Sequence, residues 1–159
     1  MKLVNKVCDE LKKQKCTIAT AESCTGGLLA HMLTNISGSS EYFDRGVISY
    51  SNKAKEELLD VPGQLLNEYG AVSEQVAEYM AKGIKKKANV DIGLATTGIA
   101  GPTGGTRDKP VGLVFIAIVA KDEVIVKRFQ FSGDRLANKE NTVLAALELL
   151  LEIISRKKS

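Results

Sequence analysis

Ser23 and Thr25 stand in the run Ala21-Glu22-Ser23-Cys24-Thr25-Gly26-Gly27, between an apolar, β-branched stretch and an amphipathic one. A hydroxyl is therefore placed where a strand gives way to a helix. One role for it is to cap that helix. The other is nucleophilic, because N–H groups at a helix start can hold an oxyanion or a phosphate. Gly26 and Gly27 favour the second role: glycine in a first helical turn costs about 1 kcal/mol and is easier to understand where a ligand approaches the backbone.

A serine nucleophile needs a base within about 3 Å, and the single histidine cannot supply it. His31 lies eight residues further on, about 12 Å of helical rise away. The same distance disfavours a Cys24–His31 pair. Cys24 as nucleophile is the lesser alternative, since a free cysteine is more often a small buried apolar residue. A lysine base remains. Lys53 and Lys55 both follow Tyr50 in the first turn of a helix, and spacing does not choose between them; two solvated surface lysines are the plainer reading. The Tyr-x-x-x-Lys spacing of dehydrogenases would need lysine where Ala54 stands. A lysine base requires its pKa to fall from about 10.4 to about 7 to 8, through burial or a neighbouring positive charge. Arg135 is a candidate for that charge, although beside Asp134 it could simply decorate a helix start. On residues alone the pattern fits a Ser/Lys hydrolase or a pocket that only binds an anion.

Alternating elements must position these groups. Residues 1–13 carry Leu3, Val4, Val7 and Leu11 at near-helical spacing, and 16–21 read as a buried strand. Leu28 to Ile36 form an amphipathic helix ending at Ser37-Gly38. Residues 46–51 read as a strand, with Asn52 capping a helix through Leu59 that Pro62-Gly63 ends. A helix follows from Ser73 to Lys85-Lys86-Lys87, whose charges suit a helix C-terminus. Residues 92–97 read as a buried strand leading into a loop, 98–105, with four glycines. Runs 111–120 and 123–131 form a hairpin around Lys121-Asp122. A last helix follows Asp134-Arg135, with Val143, Leu144, Leu147, Leu150, Leu151 and Ile154 on its buried side. This order predicts a three-layer α/β/α sandwich around a mixed, mostly parallel sheet with a C-terminal antiparallel hairpin, one domain over 1–159. Ligands of such sheets collect beyond the strand C-termini, where loops 22–27, 50–55 and 96–105 are expected to meet.

Composition removes several function classes. With 44% apolar and 26% charged residues in 159, the chain reads as an ordered globular protein. A net charge of +3, 5% aromatics and no Trp argue against a nucleic-acid partner. One His, and Cys8, Cys16 and Cys24 without C-x-x-C spacing, make no transition-metal site, so metal-free chemistry is expected. Three unpatterned cysteines, no secretory signal and no apolar run near 18 residues predict a reduced, cytoplasmic protein without a membrane span.

Six motifs occur in order: A-E-S-C-T-G-G (21–27), S-Y-S-N-x-x-K (49–55), G-A-V-S (70–73), G-I-A-G-P-x-G-G (98–105), K-P-V-G (109–112) and G-D-R (133–135). Over nearly its whole length the chain resembles the CinA C-terminal family, the nicotinamide-nucleotide amidases. The resemblance implies a stand-alone domain that converts nicotinamide mononucleotide and water to nicotinate mononucleotide and ammonia. The pyrophosphatase-associated N-terminal domain of full-length members has no counterpart in these residues, and its activity is not carried over. The family's Ser/Tyr/Lys machinery maps onto Ser23, Tyr50 and Lys55, with Lys53 at a variable position of the motif. Substrate contacts are expected from Thr25, Gly26, Gly27, Thr97, Gly98, Gly101 and Arg135, and oxyanion donors either from 23–27 or from Thr97-Gly98. No cofactor is implied, because the nucleotide is substrate, and the resemblance leaves room for a homo-oligomer. Thr103, where similar sequences often carry Asp or Gly, is a mild departure. The competing expectation is a non-catalytic nucleotide-binding or partner-binding module that keeps the family pocket.

Overall fold

The computed structural model describes residues 2–156, so Met1 and residues 157–159 of the expected domain lie outside the described residues. Its elements are α1 (Lys2–Gln14), β1 (Ile18–Glu22), α2 (Leu28–Thr34), a 3-10 turn (Ser39–Glu41), β2 (Phe43–Ile48), α3 (Asn52–Leu59), α4 (Gly63–Tyr69), α5 (Glu74–Ala88), β3 (Ile92–Gly98), β4 (Leu113–Val119), β5 (Val124–Gln130) and α6 (Arg135–Arg156). The sheet order is β2-β1-β3-β4-β5. β1 pairs in parallel with both β2 and β3, and β3, β4 and β5 follow one another antiparallel. The mixed sheet and its C-terminal hairpin are as expected.

Two apolar cores make the three layers. On one face Ile18, Leu94 and Ile116 pack with α1, α2 and α6 through Val7, Leu11, Leu29, Leu147 and Leu150. On the other, Ala19, Ala21, Ala95 and Ala117 lie under Leu59, Leu66, Met80 and Ile84 of α3, α4 and α5. Small residues on this second face bring α5 close to the sheet. At Gly93 a Cβ would collide with the Ala81 carbonyl of α5.

The chain leaves β1 toward β2 on one side of the sheet and leaves the neighbouring β3 toward β4 on the other. The connection to β2 runs over the α2 face, and that from β2 to β3 runs through α3, α4 and α5 on the other. The C-terminal end of β1 is thus the topological switch point, where an open α/β sheet forms its crevice. Ser23 is the first residue beyond it.

Four local expectations change. The residues after Pro62 form α4: α3 already stops at Asp60, whose left-handed conformation returns its N–H to Glu56 O, so Pro62 precedes a new helix rather than ending the old one. Ser51, not Asn52, caps α3, its hydroxyl accepting from Ala54 N. β2 runs 43–48 rather than 46–51; as an edge strand with a largely exposed pattern it lacks the apolar signal of the inner strands. In α6 the buried stripe is Val143, Ala146, Leu147, Leu150, Ile153 and Ile154, while Leu144 faces out and Leu151 is only partly buried. Among the described residues no helix is long and apolar enough to cross a membrane.

Candidate active site

β1 and β3 stay in register to Glu22 and Thr96, and Ser23 N–H prolongs the ladder by donating to Thr96 O at 3.0 Å. The chain then turns through Gly26 (φ 59°) and Gly27 (φ 102°) before α2 starts at Leu28. The two glycines therefore precede the helix, and their left-handed backbone accounts for their type. Neither Ser23 nor Thr25 caps α2, correcting that expectation. The cap comes from the strand behind: the buried Glu22 carboxylate accepts Leu29 N at 2.9 Å and Ala30 N at 3.0 Å, and takes the Thr25 hydroxyl at 2.5 Å. These first-turn N–H groups are spent, so α2 offers them to no anion. Thr25 also shares a 2.8 Å hydrogen bond with Thr96, which turns its hydroxyl inward. Glu22 was missed as a working residue; its only sequence signal is a charge beside a strand read as buried.

Ser23 is left free to face α3. There Lys55, 1% exposed, brings Nζ to 3.0 Å from Ser23 Oγ, 2.7 Å from Ser49 O and 3.4 Å from Tyr50 O. Helix phase makes the choice that spacing could not. Lys55 shares the buried stripe with Leu59, whereas Lys53 points outward, 3.8 Å from Glu57. Among the described residues no carboxylate forms an ion pair with Lys55, and burial lowers its pKa from 10.5 to about 8. Desolvation does what the sequence assigned in part to Arg135. Carbonyl oxygens can only accept, so a neutral Lys55 satisfies Ser49 O and Tyr50 O with its two N–H bonds and turns its lone pair to the Ser23 hydroxyl. A contact of this kind allows an amine to take the proton of a serine hydroxyl.

Cys24 does not compete. It is buried, and burial raises its thiol to about 12, which keeps it protonated and poorly nucleophilic. His31 is exposed and meets Asn35 at 3.2 Å, away from the pair.

Tyr50 touches Lys55 through its carbonyl only. Its hydroxyl accepts from Arg135 at 3.1 Å, and Arg135 also donates to Gly101 O at 2.8 Å. Arg135 opens α6 after Asp134, whose carboxylate caps the helix through Ala137 N at 2.8 Å. Of the expected site residues, then, Ser23, Tyr50, Lys55, Gly101 and Arg135 are linked by one run of hydrogen bonds beyond the ends of β1, β2 and β3, Gly101 through its carbonyl. Thr97 is turned toward the α3–α5 face, its hydroxyl donating to Ala71 O at 2.8 Å.

Backbone register locates a further donor. Even-numbered residues of β3 direct their polar groups to β1, as Ile92 N to Thr17 O shows, and odd ones to β4, as Ile99 N to Leu113 O shows. Gly98 N–H therefore faces the end of β1, where the chain has turned away, and meets no acceptor among the described residues. Clefts of about 440 Å³ beside Gly26, Gly27 and Lys139, and about 500 Å³ beside Pro102, Val111 and Arg135, flank the crevice without including Ser23 or Lys55.

A family model described as the CinA C-terminal domain matches residues 1–154. A CinA-like protein of Syntrophus aciditrophicus is 53% identical over 141 residues, 88% of this chain and 34% of that protein. Another CinA-like protein, from Geotalea daltonii, is 51% identical over 91% of this chain and 35% of its own length. The chain thus spans about a third of the length of the curated relatives it matches. Among solved structures, the competence/damage inducible protein CihA of Agrobacterium tumefaciens superposes with a TM-score of 0.93 at 40% identity, covering 95% of this chain and 93% of that one. A CinA superfamily protein of Klebsiella pneumoniae superposes at 0.94 with 34% identity, covering 98% and 97%.

Proposed function

We propose, from the premise that this chain belongs to the CinA C-terminal domain family, that it is a metal-independent amidohydrolase converting nicotinamide mononucleotide to nicotinate mononucleotide and ammonia. The observation that carries this reading is the buried 3.0 Å contact between Lys55 Nζ and Ser23 Oγ, with no carboxylate ion-paired to the lysine among the described residues. Neutral Lys55 takes the Ser23 proton as Oγ attacks the carboxamide carbon. The oxyanion is met by backbone N–H groups, of which Gly98 is the best placed. The lysine proton then passes to the departing nitrogen, and ammonia leaves an ester on Ser23. Water gives a proton to Lys55 and attacks that ester, and Ser23 recovers the proton as nicotinate mononucleotide is released. Lys55 reaches Ser23 directly, so Tyr50 need not stand between them.

Purified protein incubated with nicotinamide mononucleotide is expected to release ammonia and nicotinate mononucleotide in equal amounts over many turnovers. Product at no more than the uncatalysed rate would leave a binding module instead. EDTA is expected to leave turnover unchanged, since every proton transfer is assigned to Ser23 and Lys55. Loss on chelation, reversed by one divalent ion, would overturn metal independence.

Arg135 is an exposed cation held beside the site by its hydrogen bonds to Tyr50 and Gly101, and we assign it to the substrate phosphate. The nucleotide is then expected to be preferred over its riboside by at least about thirtyfold in kcat/KM, about 2 kcal/mol. Arg135→Ala should shrink that ratio. Equal damage to both substrates would restrict Arg135 to its contacts with Tyr50 and Gly101.

A further inference from the structure

We propose that the ring face of Tyr50 is the platform on which the cationic pyridinium ring of the substrate stacks. The identity of that ligand rests on the amidase reading; the platform rests on geometry. Tyr50 is 60% exposed, yet it is held at both ends. Its carbonyl accepts from Lys55 Nζ at 3.4 Å, and its hydroxyl accepts from Arg135, which is itself fixed to Gly101 O. A solitary exposed aromatic needs no explanation. An exposed ring tethered from both ends is pre-organised, and ordering it on binding costs little.

The tethers also say where the ring lies. Tyr50 is rooted just beyond the end of β2, and its hydroxyl reaches Arg135, which is bound to the loop beyond β3. β1 lies between those strands, whose axes are about 10 Å apart at the usual spacing. The tethered side chain therefore runs toward the far side of the end of β1, which Ser23 occupies.

Charge makes this ring necessary. The charged side chains beside Ser23 and Tyr50 are cationic, Lys55 on Ser23, Arg135 on Tyr50 and Lys139 over Gly26, whereas Glu22 is turned away and spent on Thr25 and α2. A cationic ring entering here finds no free carboxylate among the residues assigned to the site. The negative face of an aromatic ring can hold such a cation, and Arg135, bonded at the hydroxyl edge, leaves that face open. The same tether removes the hydroxyl from the Ser23–Lys55 contact.

The test uses Ser23→Ala protein, which binds without turnover, titrated calorimetrically with nicotinamide mononucleotide and with the same nucleotide reduced to its uncharged 1,4-dihydropyridine. The oxidised form should bind at least about tenfold more tightly. Adding Tyr50→Leu should weaken the oxidised form by at least about thirtyfold and the reduced form by less than about threefold. Tyr50→Phe should hold the oxidised form within about fivefold, and Tyr50→Trp should bind it at least as well as Phe does. The proposal is overturned if Leu weakens both forms equally or neither, if Phe is as damaging as Leu, or if neither form binds. Charge-selective, ring-dependent binding in a protein whose wild type releases no ammonia would sink the amidase reading and leave the platform standing. Ammonia release with ring-independent binding would do the reverse.

Discussion

Ser23→Ala is expected to lower turnover of nicotinamide mononucleotide by at least about a thousandfold, leaving only what binding and the oxyanion donors supply. The loss should fall on kcat, because Ser23 forms a bond to substrate only as the reaction proceeds. Stability should change little. Among the described residues the Ser23 side chain has one hydrogen-bond partner, Lys55, and Lys55 retains Ser49 O and Tyr50 O when the hydroxyl is gone. The turn itself is held by Ser23 N–H on Thr96 O and by Glu22 on Thr25 and α2, none of which uses the hydroxyl. A thermal midpoint near that of wild type, together with lost ammonia release, is the expected pair of results. Wild-type turnover in Ser23→Ala would end the covalent-serine account, and an ester on Ser23 trapped by acid quench and mass spectrometry would support it directly.

The chain pattern made the site's location legible, because three polar or Gly-rich loops follow three strands whose alternation with helices reads as a parallel arrangement. What stayed hidden was tertiary. Lys53 and Lys55 are two residues apart, about 200° around a helix, so only one can be buried, and Leu59 one turn beyond Lys55 marks which. That phase was readable, but its use depends on knowing which side of α3 meets the sheet. Glu22 capping α2 from the preceding strand was not readable, since cap signals are sought at the helix boundary itself and a strand carboxylate is outside that window. The link from Tyr50 to Arg135 spans 85 positions and depends on where α6 begins relative to the end of β2. Helix α4 was lost to a rule that reads Pro-Gly as an ending, when Pro also starts helices.

Lys55→Arg is expected to be nearly as damaging as Lys55→Ala. Arginine keeps the positive charge but cannot release a proton at usable pH, so only a base role makes the two equivalent. Substantial activity in the arginine variant would make Lys55 an electrostatic anchor. The pH dependence gives a second test. With Lys55 at about 8 in the folded protein, the fraction of neutral amine, and with it kcat/KM, should rise about tenfold per pH unit below 8 and level off above it. An ordinary lysine near 10.5 would still be climbing at pH 10. Stability carries the same signature. Below about 8 both folded and unfolded chains hold this proton, and the cost of burying the ammonium is felt in full. Between about 8 and 10.5 the unfolded chain binds more of it, so the Lys55 contribution to unfolding free energy rises with pH, and above 10.5 the penalty is gone. Cys8, Cys24 and Tyr42 act in the opposite sense from about pH 9 upward, because burial raises their folded pKa values and the unfolded chain loses their protons first. The cleaner measurement is therefore the difference between wild type and Lys55→Met, read below pH 9, in which the Cys8 and Tyr42 contributions cancel and Cys24, which feels the Lys55 charge, is still mostly protonated in the unfolded chain. Wild type should gain on the methionine variant as pH rises from 8 toward 9, and a flat difference there would mean that Lys55 titrates like a lysine in water and is not poised to act as the base.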